Sequence, residues 1–148
     1  MARLSADDGQ IRMHGEVYKL EVDASGARHG ATAELLPATT AHLRLTFLDR
    51  KFEATSYDYF DALRQIRREL EKEGVRVVCY GASRNVLPSG MSSQMSGGLK
   101  AYKTYVGQRG RMADLVDIFD AGPDLDLSTV DEQEEFHEAW SRSFGTRI

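Results

Sequence analysis

The chain has 148 residues, of which 41% are hydrophobic and 28% are charged, with a formal net charge of −4. This composition is typical of a globular domain and excludes disordered and fibrous chains. No window approaches the roughly 18 consecutive apolar residues of a membrane span. Residues 1–15 lack the apolar centre of a secretory signal, and the single Cys79 excludes an internal disulfide. The sequence therefore predicts a cytoplasmic protein that does not associate with membranes.

The first part of the chain predicts a run of short strands. Residues 1–11 are polar and aperiodic, so we expect a flexible N-terminus followed by a single α+β domain over residues 12–148. Apolar and polar residues then alternate over 17–22, 31–36, 43–47 and 52–55. Such alternation predicts four antiparallel strands, each with one buried and one solvated face.

A helix is predicted over residues 57–73. Apolar residues recur every three or four positions from Phe60 to Leu70, which places them on one helical face. Ser56 precedes this run as a candidate N-cap, and Gly74 follows it as a C-terminal stop. We expect this helix to lie across the sheet.

The middle of the chain is dominated by a long loop. Residues 75–80 are almost continuously apolar, which predicts an interior strand. Residues 81–98 hold four Gly and five Ser without a lasting period, and loops of this length in compact domains are often functional. Residues 99–106 alternate as a further strand. Residues 112–119 fit either a helix or a strand, of which we favour the helix.

The last predicted element is a helix over residues 130–143. Thr129 and Glu132 have the spacing of a capping box, and Phe136 and Trp140 lie one turn apart. Together these elements predict an α+β fold. It consists of an antiparallel or mixed sheet of about five to seven strands, with the helices 57–73 and 130–143 packed on it.

Loop 81–98 offers candidate ligand-binding groups. Gly and Ser allow backbone amides to converge on a phosphate, and the candidate residues are Ser83, Arg84, Asn85, Ser89 and Lys100. The spacing matches neither of the common nucleotide-binding glycine motifs, and Asn85 stands where a serine nucleophile elbow requires glycine. The open alternatives are contact with a partner and an ordered surface loop in which Met91 and Met95 pack as core residues.

The sequence does not predict a metal, a cofactor or nucleic-acid binding. The four His residues are scattered, and the acids from Asp124 to Glu135 have calcium-loop spacing but carry Thr129 where the turn requires glycine. Lys100 and Tyr102 share a strand face, as in single-stranded nucleic-acid sites. The acidic residues that follow favour a solvated face or internal ion pairs over nucleic acid.

Charge is divided unevenly along the chain. Residues 1–111 hold 17 Lys/Arg and 13 Asp/Glu, whereas residues 112–138 hold ten acids and no Lys or Arg. These acids are interleaved with apolar residues such as Phe119, Leu127 and Trp140, so we expect the acidic block to fold. A folded anionic surface repels phosphate backbones and attracts a basic partner.

Three segments resemble a family of small bacterial cytoplasmic proteins of mostly unassigned function. They are YGASRNVLPSGM at residues 80–91, GLKAY at 98–102 and DLVDIFD at 114–120. The resemblance covers residues 75–122 and carries over no catalytic residues. Some small acidic proteins of this general type are immunity partners of secreted toxins, so the resemblance implies a bacterial cytosolic protein and points toward immunity.

The favoured hypothesis is a non-enzymatic protein–protein interaction module, most specifically an immunity protein that neutralises a basic toxin or effector through residues 112–138. The candidate contacts are the carboxylates of Asp117, Asp120, Asp124, Asp126, Glu132 and Glu135. The alternative is a module that binds a small ligand or nucleotide phosphate through loop 81–98. That alternative includes an enzyme of unrecognised type, although the sequence holds no complete catalytic signature. Homo-oligomers are left open.

Overall fold

The computed structural model describes residues 16–143, and the N-terminal stretch 1–11 expected to be flexible lies outside these residues. Within the described range, eight strands form two antiparallel sheets and three α-helices accompany them. The predicted α+β class is therefore confirmed. The predicted single sheet is divided into one sheet of five strands and one of three.

The larger sheet is a four-stranded meander with a fifth strand added beside its first. The meander strands are β1 (Val17–Ala24), β2 (Ala27–Leu36), β3 (Ala41–Phe47) and β4 (Arg50–Ser56), and the fifth is β5 (Arg76–Val78). Their order across the sheet is β4-β3-β2-β1-β5. Alternate residues such as Leu43 and Leu45 are buried on one face, while the other face is polar, as the alternation predicts.

Helix α1 (Tyr59–Glu71) covers the apolar face of this sheet. It begins two residues later than predicted, because Asp58 rather than Ser56 is the N-cap and accepts a 2.8 Å hydrogen bond from the Asp61 amide. Leu63, Ile66 and Leu70 are buried in one core with the sheet residues. Burial of this amphipathic face, more than intrinsic helix propensity, is what stabilises a helix of this length.

The smaller sheet consists of β6 (Val86–Leu87), β7 (Lys100–Lys103) and β8 (Leu115–Asp117), with β7 in the centre. The helix favoured for residues 112–119 is wrong, since a single 3-10 turn there leads into β8. A short apolar run does not distinguish helix from strand, and here pairing of residues 115–117 with β7 decides the outcome. Loop 81–98 is ordered and includes β6 and the short helix α2 (Gly90–Ser96).

Helix α3 (Val130–Arg142) ends the described part of the chain. The capping box is confirmed: the Thr129 hydroxyl accepts from the Glu132 amide at 3.1 Å, and the Glu132 carboxylate accepts from the Thr129 amide at 2.9 Å. Val130 and Gln133 are buried on the inner side of the helix. Among residues 16–143, no helix is both long enough and apolar enough to cross a lipid bilayer.

Candidate interaction surface

Two buried side chains, Arg67 of α1 and Gln133 of α3, fix the start of the long loop. Arg67 donates hydrogen bonds to the Gly81 carbonyl at 3.1 Å and to the Gln133 side-chain oxygen at 2.7 Å. The Gln133 amide in turn lies 2.9 to 3.1 Å from the carbonyl oxygens of Gly81, Ser83 and Val86. These buried hydrogen bonds fix the backbone of residues 81–86, which includes the first residue of β6.

The five candidate ligand-binding residues each have a partner inside the protein. Ser83 accepts a hydrogen bond from the Asp126 amide, Arg84 forms an ion pair with the Asp126 carboxylate, and Asn85 donates to the Thr104 carbonyl. Ser89 caps α2, and Lys100 forms an ion pair with Asp117. A ligand bound by these five side chains would have to compete with these internal contacts.

The backbone amides of the same segment are also occupied. The amides of Ser83 and Val86 donate within the loop, to Tyr80 and Ser83, at 3.0 and 3.1 Å. The Arg84 amide donates across to the Asp126 carbonyl at 2.7 Å. An anion nest requires successive amides that point to a common centre, and this stretch uses its amides to hold the fold.

The acidic block is largely neutralised by cations from the preceding part of the chain. Of its ten acids, all of which lie in the described range, eight form ion pairs. These pairs are Asp114 with Arg111, Asp117 with Lys100, Asp124 with Lys103, Asp126 and Glu132 with Arg84, Asp131 with Arg68, Glu134 with Arg64 and Arg68, and Glu138 with Arg142. Within residues 16–143, no ion pair forms at Asp120 or Glu135. The excess of cations in residues 1–111 was the sequence signal for this pairing.

Among the six candidate partner contacts, Asp124 accepts the most hydrogen bonds from other side chains. Its carboxylate accepts from the Tyr80 hydroxyl at 2.6 Å and from the Lys103 ammonium at 3.0 Å. The Tyr80 hydrogen bond, followed by that from Lys103, lowers the pKa of Asp124. Asp117, Asp126 and Glu132 are also paired inside the protein. Of the six, Asp120 and Glu135 form no ion pair in the described range, so their carboxylates are the most available to pair with a cation of a partner.

Exposed apolar side chains are concentrated on α2 and on the segment that joins β7 to β8, and sequence reasoning missed them. Among the described residues, seven large hydrophobic side chains are exposed, and five of them fall between residues 91 and 112: Met91, Met95, Tyr105, Val106 and Met112. The expectation that Met91 and Met95 pack as core residues is wrong, because they are 69% and 80% exposed. Helix α2 lies on the surface and buries none of its residues.

A groove of about 230 Å³ opens beside these side chains between Tyr102 of β7 and Trp140 of α3, and we name it the Tyr102–Trp140 groove. Its lining comprises Leu87, Pro88, Ser89, Met91, Tyr102, Thr104, Gly110 and Trp140. The Tyr102 hydroxyl lies 3.9 Å from the Met112 sulfur, so the exposed Met112 is continuous with the groove. The Trp140 indole N–H donates to the Gln108 carbonyl at 2.8 Å, which joins the Trp140 ring to the segment that follows β7.

The outer face of α3, on the side of the helix opposite Trp140, is acidic. Asp131, Glu135 and Glu138 follow each other at intervals of four and three residues, which places them on one side of the helix. Glu138 contacts only Arg142 of its own helix, at 4.0 Å and with both side chains largely exposed. Such an exposed pair contributes little binding energy, so this face keeps a negative potential.

A wider hollow of about 580 Å³ lies beside β1, but its rim is charged in both signs by Lys19, Glu21, Arg28 and Asp120. It lacks exposed large hydrophobic residues.

In the part of the chain that the structure describes, no three His, Cys, Asp or Glu side chains lie together as metal ligands would. The Tyr102–Trp140 groove, with the exposed apolar side chains near it, is therefore the best candidate for a functional site. No protein-family model and no curated protein matches this chain.

Proposed function

We propose that this protein is a non-enzymatic protein–protein interaction module that binds a basic protein partner. In its most specific form it is an immunity protein that neutralises a basic toxin or effector. The observation that carries the proposal is the concentration of exposed apolar side chains between residues 91 and 112, together with the Tyr102–Trp140 groove that Met91 lines and Met112 adjoins. Exposed apolar side chains gathered in one part of a protein mark a candidate interaction site. Met, Tyr and Trp are also the residues enriched in the cores of protein interfaces.

Electrostatics support the choice of a basic partner. Asp120 and Glu135 have no ion pair within residues 16–143, and the outer face of α3 is acidic. The exposed pairs elsewhere in the acidic block contribute about 0 to 1 kcal/mol each, so their carboxylates can exchange an internal cation for one of a partner at small cost. Complementary charge acts mainly on the rate and orientation of association.

The alternative of a ligand-binding module or enzyme built on loop 81–98 has less support. Its five candidate side chains and the amides of Ser83, Arg84 and Val86 are engaged inside the protein. A bound phosphate would have to displace these contacts. A thermal-shift screen against nucleotides and phosphates checks this alternative directly, since a ligand at 100 times its Kd stabilises by about 2.7 kcal/mol.

The first experiment is to isolate the tagged protein from the cells that encode it, to wash at rising salt, and to identify retained proteins by mass spectrometry. We expect a basic protein in stoichiometric amount that salt releases. Retention of no protein by a folded sample, or of acidic proteins only, would contradict the proposal. The purified partner then allows the role of charge to be measured.

Association kinetics of two matched charge reversals test that role. Glu135→Lys reverses a charge on the acidic face of α3, and Glu69→Lys reverses an exposed charge on α1, whose present contact is Lys72 of the same helix. We expect Glu135→Lys to slow association and to flatten its salt dependence, and Glu69→Lys to change both much less. Equal rates for the two variants would remove the acidic face from the interface. Reversal at Asp124 or Asp126 is a poorer test because it also breaks the pairs with Lys103 and Arg84.

A further inference from the structure

We infer that the outer edge of β4 is a homodimer interface, in which β4 of a second copy of this chain pairs antiparallel with it across a two-fold axis at Phe52. The contact joins the two five-stranded sheets into one continuous sheet of ten strands. This inference goes beyond the proposed function and does not depend on it, because it uses no residue of the Tyr102–Trp140 groove or of the acidic block.

The backbone of β4 is available for pairing along its outer edge. Strand β4 ends the sheet order, and no strand of the described chain pairs with it on the side away from β3. Phe47 pairs with Arg50 across a two-residue turn, and hydrogen-bonded and non-hydrogen-bonded pairs alternate from there along the ladder. The amides and carbonyls of Lys51, Glu53 and Thr55 therefore point away from β3. Such a row of unpaired groups is a template for another strand.

The edge is also long and regular. Strand β4 has seven residues, contains no proline, and keeps an unbroken register with β3 from Arg50 to Ser56. Natural proteins usually protect an exposed edge of this kind with proline, a bulge, a covering segment or charge. Here the charges on the solvated face have both signs, in Lys51 and Glu53. A strand with the matching charge pattern removes their protective effect.

Charge complementarity identifies the partner strand as a second copy and fixes its register. With the axis at Phe52, Lys51 of each copy lies opposite Glu53 of the other. Moving the axis to Lys51 or to Glu53 places that residue opposite its own copy, and like charges directly opposite each other destabilise a sheet. Glu53 accepts from His42 and Arg44, each at 2.9 Å. A carboxylate has about four acceptor positions, so Glu53 also has room for the lysine of the second copy.

Apolar side chains on β4 and at its two ends fit the same arrangement. Phe52 and Ala54 are only partly buried, and with α1 they line a hollow of about 410 Å³. A second copy covers this edge and places its Phe52 opposite the first, an aromatic pair of the kind that stabilises sheets. Outside residues 91–112, the exposed large hydrophobic residues of the described chain are Leu48 and Tyr57, which flank β4. Antiparallel pairing brings Leu48 of one copy to the Tyr57 end of the other.

The first test is sedimentation velocity of the full chain at protein concentrations between about 1 μM and 1 mM. We expect a reversible equilibrium between monomer and dimer, with a dimer Kd that rises with salt because ion pairs contribute to the contact. A monomer over the whole range of concentrations would overturn the inference.

Lys51→Glu and Glu53→Lys form a complementary pair of variants. In a dimer of either variant alone, like charges lie opposite each other, so we expect the dimer Kd to rise at least tenfold, or about 1.4 kcal/mol. An equimolar mixture of the two restores opposite charges at both pairs and should dimerise about as tightly as the wild-type protein. Lys19→Glu is the control, since it reverses an exposed charge on β1 and should leave the Kd unchanged. A mixture that associates no more tightly than its separate components would overturn the proposed register.

Amide hydrogen exchange of the wild-type protein gives a readout that needs no variant, because Glu53→Lys also removes the contacts with His42 and Arg44. The amides of Lys51 and Glu53 should become protected as the protein concentration rises. Those of Phe52 and Ala54, which already bond to β3, should be protected at every concentration. Unchanged exchange at positions 51 and 53 in a sample that sediments as a dimer would place the interface elsewhere and overturn the inference.

Discussion

The guanidinium group of Arg67 donates a 2.7 Å hydrogen bond to the side-chain oxygen of Gln133, and the two residues are only 3% and 0% exposed. Sixty-six positions apart in the chain, they join α1 to α3 and hold the Gly81 carbonyl between them. The nearest carboxylate, that of Glu71, lies 3.9 Å from Arg67 and also accepts the Val130 amide at the start of α3. Burial lowers the pKa of Arg67 to about 10, so the guanidinium remains charged at neutral pH and depends on these acceptors.

Gln133→Ala is expected to destabilise the protein by about 2 to 4 kcal/mol, because it removes one acceptor of the buried Arg67 guanidinium and the side-chain donor to the Ser83 and Val86 carbonyls. Replacing both residues by apolar side chains of similar size, in Arg67→Met with Gln133→Leu, should cost less than the sum of the single replacements. Urea denaturation of the four proteins completes the cycle. Additive free energies of unfolding would show that the two side chains act independently.

The elements that could be predicted are those whose signal lies within a short stretch of the sequence. The meander, α1 and α3 follow from alternation, from helical spacing and from the Thr129 capping box, each of which is local. Strand β8 could not be predicted, because residues 112–119 suit a helix equally well until β7 lies beside them. The candidate site could not be predicted for the same reason. Ion pairs such as Arg84 with Asp126, 42 positions apart, and the exposure of Met91 depend on tertiary contacts that no local pattern contains.

Cys79, which directly follows β5, is fully buried, and burial raises the pKa of its thiol to about 11. An unfolded cysteine titrates near about 8.5. Between these values the unfolded chain releases the thiol proton while the folded protein retains it, so stability falls as pH rises from about 8.5 toward 11. We expect the wild-type protein to lose about 1 to 2 kcal/mol more than Cys79→Ala between pH 8 and pH 10. Urea denaturation at several pH values measures this difference.

Identical pH profiles for the wild-type protein and Cys79→Ala would contradict the raised thiol pKa. A second readout is independent of the variant. Because the thiol is buried and protonated, a thiol reagent at pH 8 should react at the rate of unfolding rather than at that of an exposed cysteine.

Gly122 allows the approach of Tyr80 to Asp124. A Cβ atom at position 122 would overlap the Tyr80 hydroxyl oxygen. Gly122→Ala should therefore destabilise by about 1 to 3 kcal/mol and disturb the hydrogen bond between Tyr80 and Asp124. Thermal denaturation checks the change, with Gly30→Ala as a control, since no atom lies within 4 Å of a Cβ at that glycine.

Tyr80→Phe provides the rescue for this substitution. Removing the hydroxyl costs its hydrogen bond to Asp124 but also removes the atom that a Cβ at position 122 meets first. The double variant should consequently be more stable than the sum of the two single changes indicates. Strict additivity, or a Gly122→Ala variant as stable as Gly30→Ala, would rule out the clash.

The turn between β3 and β4 holds a removable source of strain at Leu48. Phe47 pairs with Arg50, so the hairpin has two central residues, Leu48 and Asp49, and their φ angles are 50° and 62°. Positive φ at both positions matches the strand twist in two-residue hairpins but favours Asn or Gly over a residue such as Leu. Leu48 is also 57% exposed and contributes little to the core. Leu48→Asn should raise the free energy of unfolding by about 1 kcal/mol. Leu48→Ala, which keeps the backbone penalty, should give no such gain, and equal stabilisation by both changes would attribute the effect to lost surface hydrophobicity instead.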